Sequence, residues 1–366
     1  MKIQCLQENL AKALNAVSKI IPIRGSLPIL SNVLLKTENG RLKIIGTNLE
    51  IGVRYLIGAK IEEEGEITIP SKLFAEYINS LPNDKIDLSL KENNLIIKSN
   101  DYNAKVFGTD TKEFPLIPEV KNEPITILKA DQFLESINQV VFAAALDETR
   151  PILSGVYFHF EGDKLRMVAT DSYRLSEKTI KLGKPVKEAK SVIVPAKTIQ
   201  ELNYVVSENE KPVEISIDEN QILFRIADID LISRLIEGEF PNYEQIIPES
   251  FETRAKINVE EFIKVIKLAN IFAREGTHNV QLELKKDGKI IVSTATAQVG
   301  DNVSTLKSEI EGNESEITFN TKYLLDVLSN IKTKSIYLEL NGKLNPGVIK
   351  SEGLKDYTHI IMPLRT

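Results

Sequence analysis

Three stretches decide how this chain folds: Ile69-Pro70-Ser71-Lys72, Val194-Pro195-Ala196-Lys197 and Phe319-Asn320-Thr321-Lys322. In each, an apolar β-preferring residue leads through Pro or Asn into a small residue and then a lysine. The pattern reads as a strand passing straight into the first turn of a helix. The lysines keep a constant interval, 197 − 72 and 322 − 197 both being 125. A fixed long period is the mark of a repeated structural unit.

Working outward, a helical pattern follows the first lysine (Leu73, Phe74, Tyr77, Ile78, Leu81), and then an alternating hairpin, Ile86/Leu88/Leu90 to Leu95/Ile97. The later copies have Val213/Ile215/Ile217 to Ile222/Phe224/Ile226 and Ile336/Leu338/Leu340 in the same place. Upstream, the stretch Leu27 to Leu35 matches Arg150 to Phe158, with Val33 and Val156 separated by 156 − 33 = 123, and more faintly His278 to Leu282. These stretches read as strands. Each runs through a turn (Glu38-Asn39-Gly40, Glu161-Gly162-Asp163, Lys286-Asp287-Gly288) into a second alternating strand, a strong hairpin signal.

Amphipathic helices open the copies, with Leu10, Leu14, Val17 and Ile21 at helical spacing in the first. In the third, Asn258 and Glu261 form a capping pair before Phe262, Val265, Ile266 and Ala269. The first two copies close alike, on Glu113-Phe114-Pro115 and Glu239-Phe240-Pro241, each running on to Ile-Pro-Glu. The fold class is therefore α+β, three tandem copies of one helix and antiparallel-sheet unit. The copies span 1–121, 125–249 and 253–366, with linkers around Lys121 to Pro124 and Ser250 to Thr253.

Composition narrows the function. The 366 residues are 42% hydrophobic and 27% charged, with no apolar run long enough to span a bilayer. A single cysteine, Cys5, and the lack of a signal-peptide pattern point to the cytoplasm. His159, His278 and His359 lie too far apart to write a metal site, and no phosphate loop, dinucleotide fingerprint or nucleophile elbow is present, so neither metal nor cofactor is expected. The net charge of −6 argues against a protein that coats DNA by overall attraction, yet permits a local basic lining.

The lysines at the helix starts supply such a lining. A cation in the first helical turn is opposed by the macrodipole, so a recurring one needs another reason. Together with Lys12, Lys19, Lys264, Lys267, Arg274, Lys332 and Lys334 they suit phosphate contact without base reading. Two other functions remain open on the residues alone. One is a three-domain hydrolase using Asp171, Ser172 and a histidine. The other is a monomeric peptide-binding adaptor, against which the repeated lysines speak.

Three further motifs, Val168 to Leu175, Glu239-Phe240-Pro241-Asn242-Tyr243 and Ile360-Ile361-Met362-Pro363-Leu364-Arg365, resemble the bacterial sliding clamp family, the beta subunit of replicative DNA polymerase III, and the resemblance covers the whole chain. It implies the DNA clamp fold, closed into a ring as a head-to-tail homodimer around double-stranded DNA without sequence preference. It also implies a processivity factor with no active site. Its partners are the polymerase III catalytic subunit, the clamp loader and other proteins carrying a clamp-binding motif, with no membrane role.

By position, the family's DNA-facing residues correspond to Arg24, Lys72, Arg150, Lys197, Asn320 and Tyr323. Its partner-peptide pocket corresponds to Leu153, Thr170, Ser172, Tyr173, Arg174, Leu175, Pro241, Ile246, Pro346, Ile360, Met362, Pro363, Leu364 and Arg365. Its dimer interface corresponds to Ala104 and Val106 on one chain facing Ile271 and Phe272 on the other. Ser172-Tyr173 replaces the Gly-His of many relatives, Gln245 replaces a basic residue of some, and Pro151 and Ile152 stand where some have aromatics, so peptide preference and single-strand stacking are expected to differ. The Thr170 to Leu175 and Met362-Pro363 stretches occur once each in the chain, which places partner docking where the repeat breaks.

Overall fold

The computed structural model describes residues 1–22, 27–147, 149–209, 211–296 and 299–365. The first copy runs β1 (Lys2–Leu6), α1 (Gln7–Ser18), β2 (Asn32–Glu38), β3 (Arg41–Thr47), β4 (Ile51–Gly58), β5 (Lys60–Glu63) and β6 (Glu66–Pro70). It continues with α2 (Ser71–Ser80), β7 (Lys85–Lys91), β8 (Asn94–Ser99) and β9 (Tyr102–Phe107). The middle copy holds β10 (Thr126–Leu128), α3 (Ala130–Val140), β11 (Gly155–Glu161), β12 (Lys164–Thr170), β13 (Arg174–Lys181) and β14 (Lys190–Pro195). After these come α4 (Ala196–Asn209), β15 (Val213–Ile217), β16 (Gln221–Ile226) and β17 (Ile229–Arg234). The last copy has β18 (Thr253–Asn258), α5 (Val259–Ala273), β19 (Asn279–Lys285), β20 (Lys289–Thr296), β21 (Gly300–Lys307) and β22 (Glu309–Gly312). It ends with β23 (Ser315–Asn320), α6 (Thr321–Ser329), β24 (Ser335–Leu340), β25 (Gly347–Ser351) and β26 (Tyr357–Ile361).

The three copies are thus α/β domains with antiparallel sheets, and the three stretches that open the sequence reading do join strand to helix: β6 to α2, β14 to α4, β23 to α6. Two helices are capped by Asn. The Asn258 side chain accepts from the Glu261 N–H at 3.1 Å, and Asn320 from the Lys322 N–H at 2.8 Å, each satisfying a donor the helix leaves orphaned. Phe262, Ile266 and Ala269 of α5 and Leu324 and Val327 of α6 are buried in one core with Phe319 and Tyr357. The first hairpin turns where Asn39 (φ 49°) and Gly40 (φ 74°) both take the left-handed conformation that matches the strand twist.

Two expectations are corrected. Each copy opens with a strand before its helix (β1, β10, β18), because only two apolar positions alternate there, as in Ile3 and Cys5, too few to set a period. The Pro28 and Pro151 segments are not strand. Pro28–Ser31 and Pro151–Ser154 are single 3-10 turns, with Leu30 N–H donating to Leu27 O at 3.1 Å and Leu153 N–H to Arg150 O at 3.0 Å, and the strands start one residue later. Proline lacks the N–H that a ladder needs and favours a first helical turn.

The chain divides into two compact units, Met1–Asp131 with Lys197–Leu235, and Gln132–Ala196 with Ile236–Thr366. The first contains a five-stranded sheet, β5-β1-β7-β8-β9, and an eight-stranded one, β10-β15-β16-β17-β4-β3-β2-β6. The second contains a nine-stranded sheet, β14-β11-β12-β13-β26-β25-β24-β18-β22, and a four-stranded one, β21-β20-β19-β23. Both large sheets are seamed across copies: β17 pairs with β4 (Leu231 opposite Val53) and β26 with β13 (Ile360 opposite Leu175). Strands β9 and β21 lie at sheet edges, the first carrying exposed Tyr102 and Phe107, the second exposed Val303.

Candidate partner groove and DNA-facing helix starts

All three helix-start lysines are exposed second residues of their helices. Lys72 is 79% exposed in its side chain, with Glu76 4.0 Å away. Lys12, Lys264 and Lys267 also stand exposed on α1 and α5, off the buried stripes. Arg24 lies outside the described residues. Arg150 is exposed and donates to Ser172 Oγ at 3.2 Å.

The segment Thr170 to Arg174 is a tight turn between β12 and β13. Thr170 Oγ1 donates to the Arg174 carbonyl at 2.7 Å and accepts from Ser172 N–H at 3.2 Å, while Asp171 Oδ1 accepts from both Tyr173 N–H and Arg174 N–H at 2.9 Å. Ser172 takes the left-handed φ of 76°. The same turn recurs in the first copy, 123 residues earlier, contrary to the expectation that it occurs once. Thr47 Oγ1 donates to Ile51 O at 2.9 Å and accepts from Leu49 N–H at 3.0 Å, Asn48 accepts from Glu50 and Ile51 N–H, and Leu49 has φ 79°. Thr47-Asn48 against Thr170-Asp171 is the signal that would have shown it. What the first copy lacks is the arginine.

Arg174 is buried, and each nitrogen of its guanidinium donates: Nε to Asp171 Oδ2 at 3.0 Å, Nη1 to Asp326 Oδ2 at 2.5 Å, Nη2 to Phe142 O at 2.7 Å, and the group lies 4.5 Å from the Tyr323 ring centre. Burial, and then the nearby Asp171 carboxylate, raise the Tyr323 phenol above its ordinary pKa. Asp326 and Phe142 escaped the sequence reading, since no local pattern ties either to Arg174.

Around this turn the residues assigned to a peptide pocket come together. Leu175 and Ile360 are wholly buried and pack with Val168 and Tyr243, so they form the floor. Tyr173 (62% exposed), Met362 (38%) and Ile246 (44%) project above it, with Pro241, Ser172 and Arg365 also exposed and Pro346, Pro363 and Leu364 half-buried. Thr170 and Leu153 are buried. Two backbone bonds hold the terminal segment in place, Met362 N–H to Tyr173 O and Leu364 N–H to Thr318 O, both 2.8 Å. A cleft of roughly 640 Å³ is lined by Leu153, Tyr173 and Arg174 together with Arg150, Asn320 and Tyr323, so residues assigned separately to DNA and to partners share one depression.

The hydrolase alternative finds no hydrogen-bonded Asp171–histidine–Ser172 relay in this geometry. Asp171 has both carboxylate oxygens committed to the turn and to Arg174, and Ser172 Oγ meets Arg150. His359 is entirely buried, bonded through Nδ1 to Ser176 Oγ at 2.6 Å, and burial pushes its pKa down to about 3. Among the described residues no group of His, Cys, Asp or Glu is placed to hold a metal ion, and no helix is long and apolar enough to cross a membrane.

For the interface positions, Ala104 and Val106 lie on the edge strand β9, with Val106 buried in its own sheet's core, and Ile271 (51% exposed) and half-buried Phe272 end α5.

Residues 1–118, 127–242 and 244–365 match the N-terminal, central and C-terminal domains of the DNA polymerase III beta subunit. The chain belongs to this family. It is a sliding clamp, a non-catalytic processivity factor that tethers the replicative polymerase. A beta sliding clamp of Staphylococcus aureus is 32% identical over 367 residues, covering 96% of each chain. The crystal structure of the DNA polymerase sliding clamp from Bacillus subtilis superposes with a TM-score of 0.96 at 29% identity, covering 100% of this chain and 99% of that one. A Pseudomonas aeruginosa sliding clamp solved bound to griselimycin gives 0.95 at 27% identity, with both chains covered in full. The DNA clamp fold that the resemblance implied is thus the fold observed.

Proposed function

We propose that two copies of this chain close head to tail around duplex DNA, with the helix starts facing the phosphates and the Tyr173–Met362 groove presented to the clamp loader, the polymerase catalytic subunit and other proteins with short apolar motifs. The observation that carries the reading is the recurrence of an exposed lysine at the second position of three equivalent helices, Lys72, Lys197 and Lys322. Spread-out cations contact the backbone without reading bases and hold weakly enough to slide. Arg150 and Asn320 extend this face. Tyr323, stacked beneath Arg174, serves it by shaping the cleft.

Closure is supported by the two open edges. An unpaired edge such as β9 invites another strand, and β21 of a second copy offers one, flanked by Ile271 and Phe272. The groove suits varied peptides because Met362, an unbranched thioether, repacks around different side chains.

The test is topological. The chain is loaded onto nicked circular DNA with clamp loader and ATP, and the circle is then linearised. Retention on the circle in moderate salt and loss from the linear form is the expected result, and equal retention on both refutes encirclement.

A further inference from the structure

Arg174 is assigned to the groove by position, yet the fold ties each nitrogen of its charged end to a protein acceptor. Asp171, Asp326, the Phe142 carbonyl and the Tyr323 ring surround a side chain that is 9% exposed. The molecule supplies its own control. The Thr47 to Ile51 turn makes the same hydrogen bonds with Ile51, 2% exposed, where the second turn has Arg174, so the turn's internal bonds form without the charge, which is left to set where the turn sits against α6.

The contrast continues along the strand. Val53 and Tyr55 of β4 correspond to Ser176 and Lys178 of β13, where Ser176 bonds His359 and Lys178 meets Asp356 at 2.9 Å. One seam is apolar on this face and the other is a row of buried polar side chains, Arg174, Ser176 and Lys178, two of them paired with half-exposed carboxylates. A buried cation stabilises little compared with an apolar residue of similar volume, so stability is a poor reason for the row. Their better-attested use is to fix one geometry.

Resting on the partner-groove reading above, we infer that Arg174 is a positioning residue, held from below by Asp326 of α6, which fixes the Tyr173 turn and hence Met362 without touching the peptide. The link is short. The Arg174 carbonyl accepts from Thr170 Oγ1 and the Tyr173 carbonyl accepts from Met362 N–H, so freeing the arginine loosens both sides of the groove.

The test substitutes Asp326, whose side chain is 42% exposed, so that folding is spared. Two synthetic peptides with the same Leu and Phe anchors, one neutral and one carrying two glutamates, are titrated by fluorescence anisotropy against the full chain. Asp326→Asn is expected to weaken both by the same factor, on the order of tenfold for a broken contact between charged partners. Asp326→Glu is expected to restore most of the affinity, and Arg174→Lys, which keeps the charge and loses the fork, to behave like Asp326→Asn. Unchanged affinity in Asp326→Asn overturns the inference alone, as does a loss confined to one peptide, which would mean that the charge acts on the ligand directly. Binding of neither peptide by the unaltered chain overturns the groove reading and this inference with it.

Discussion

Replacing Lys72, Lys197 and Lys322 together by alanine separates a role in DNA contact from a role in the fold. None of the three is buried, and the one ion pair among them, Lys72 to Glu76 at 4.0 Å, has both side chains mostly exposed, worth a few tenths of a kcal/mol at best. Each lysine also opposes the positive end of its helix, and alanine is the better helix former, so the triple variant is expected to melt no lower than the parent. DNA affinity is expected to move the other way. Each phosphate contact contributes about 0.9 to the slope of log K against log salt. Between 50 and 200 mM salt, a fourfold change, one contact therefore accounts for roughly a 3.5-fold change in affinity, and three contacts for about 40-fold. The assay is anisotropy of a labelled duplex across that range, beside a thermal melt. An unaltered salt slope, or a melting point that falls with the substitutions, refutes the assignment of these lysines to phosphates.

Three further outcomes are expected. Asn258→Ala removes the cap of α5 and should cost about 1 kcal/mol in urea denaturation, with Asn258→Ser recovering most of it. His359 is held neutral in the fold while the unfolded chain takes up a proton near pH 6.5, so its contribution is present above that pH and lost as pH falls toward about 3. The parent should lose about 1–2 kcal/mol more than His359→Gln between pH 6.5 and 5, read from urea midpoints. Val303→Lys places a charge on the β21 edge and should shift sedimentation from dimer toward monomer while leaving the melt of the chain nearly unchanged.

Much of the fold was legible because the repeat prints each feature more than once. Lys72, Lys197 and Lys322 fixed the strand-to-helix junctions, and the Asn39-Gly40 turn needed only local chemistry to be read. What escaped was set at a distance. The opening strands are too short to show a period, and they exist because β7, β15 and β24 offer them edges. The proposed groove was legible as a set of residues but not as a geometry. Leu175 and Ile360 look like contact residues in the sequence and turn out to be floor, while Asp326, 152 positions from Arg174, carries no mark of its partnership.

The seams across copies bear on how the chain is made. Strand β4 finds β17 only when Ile51 meets Ser233, 182 residues later (233 − 51), and β13 finds β26 when Arg174 meets Ile361, 187 residues later (361 − 174). A nascent first copy leaving the ribosome therefore carries an unfilled strand slot until the second half of the middle copy emerges, and the middle copy then exposes a slot of its own. Contacts this remote fold slowly and leave sticky edges waiting. The copies are repeats in sequence but not independent passengers in synthesis: the sheets of the first two are each finished by the copy that follows.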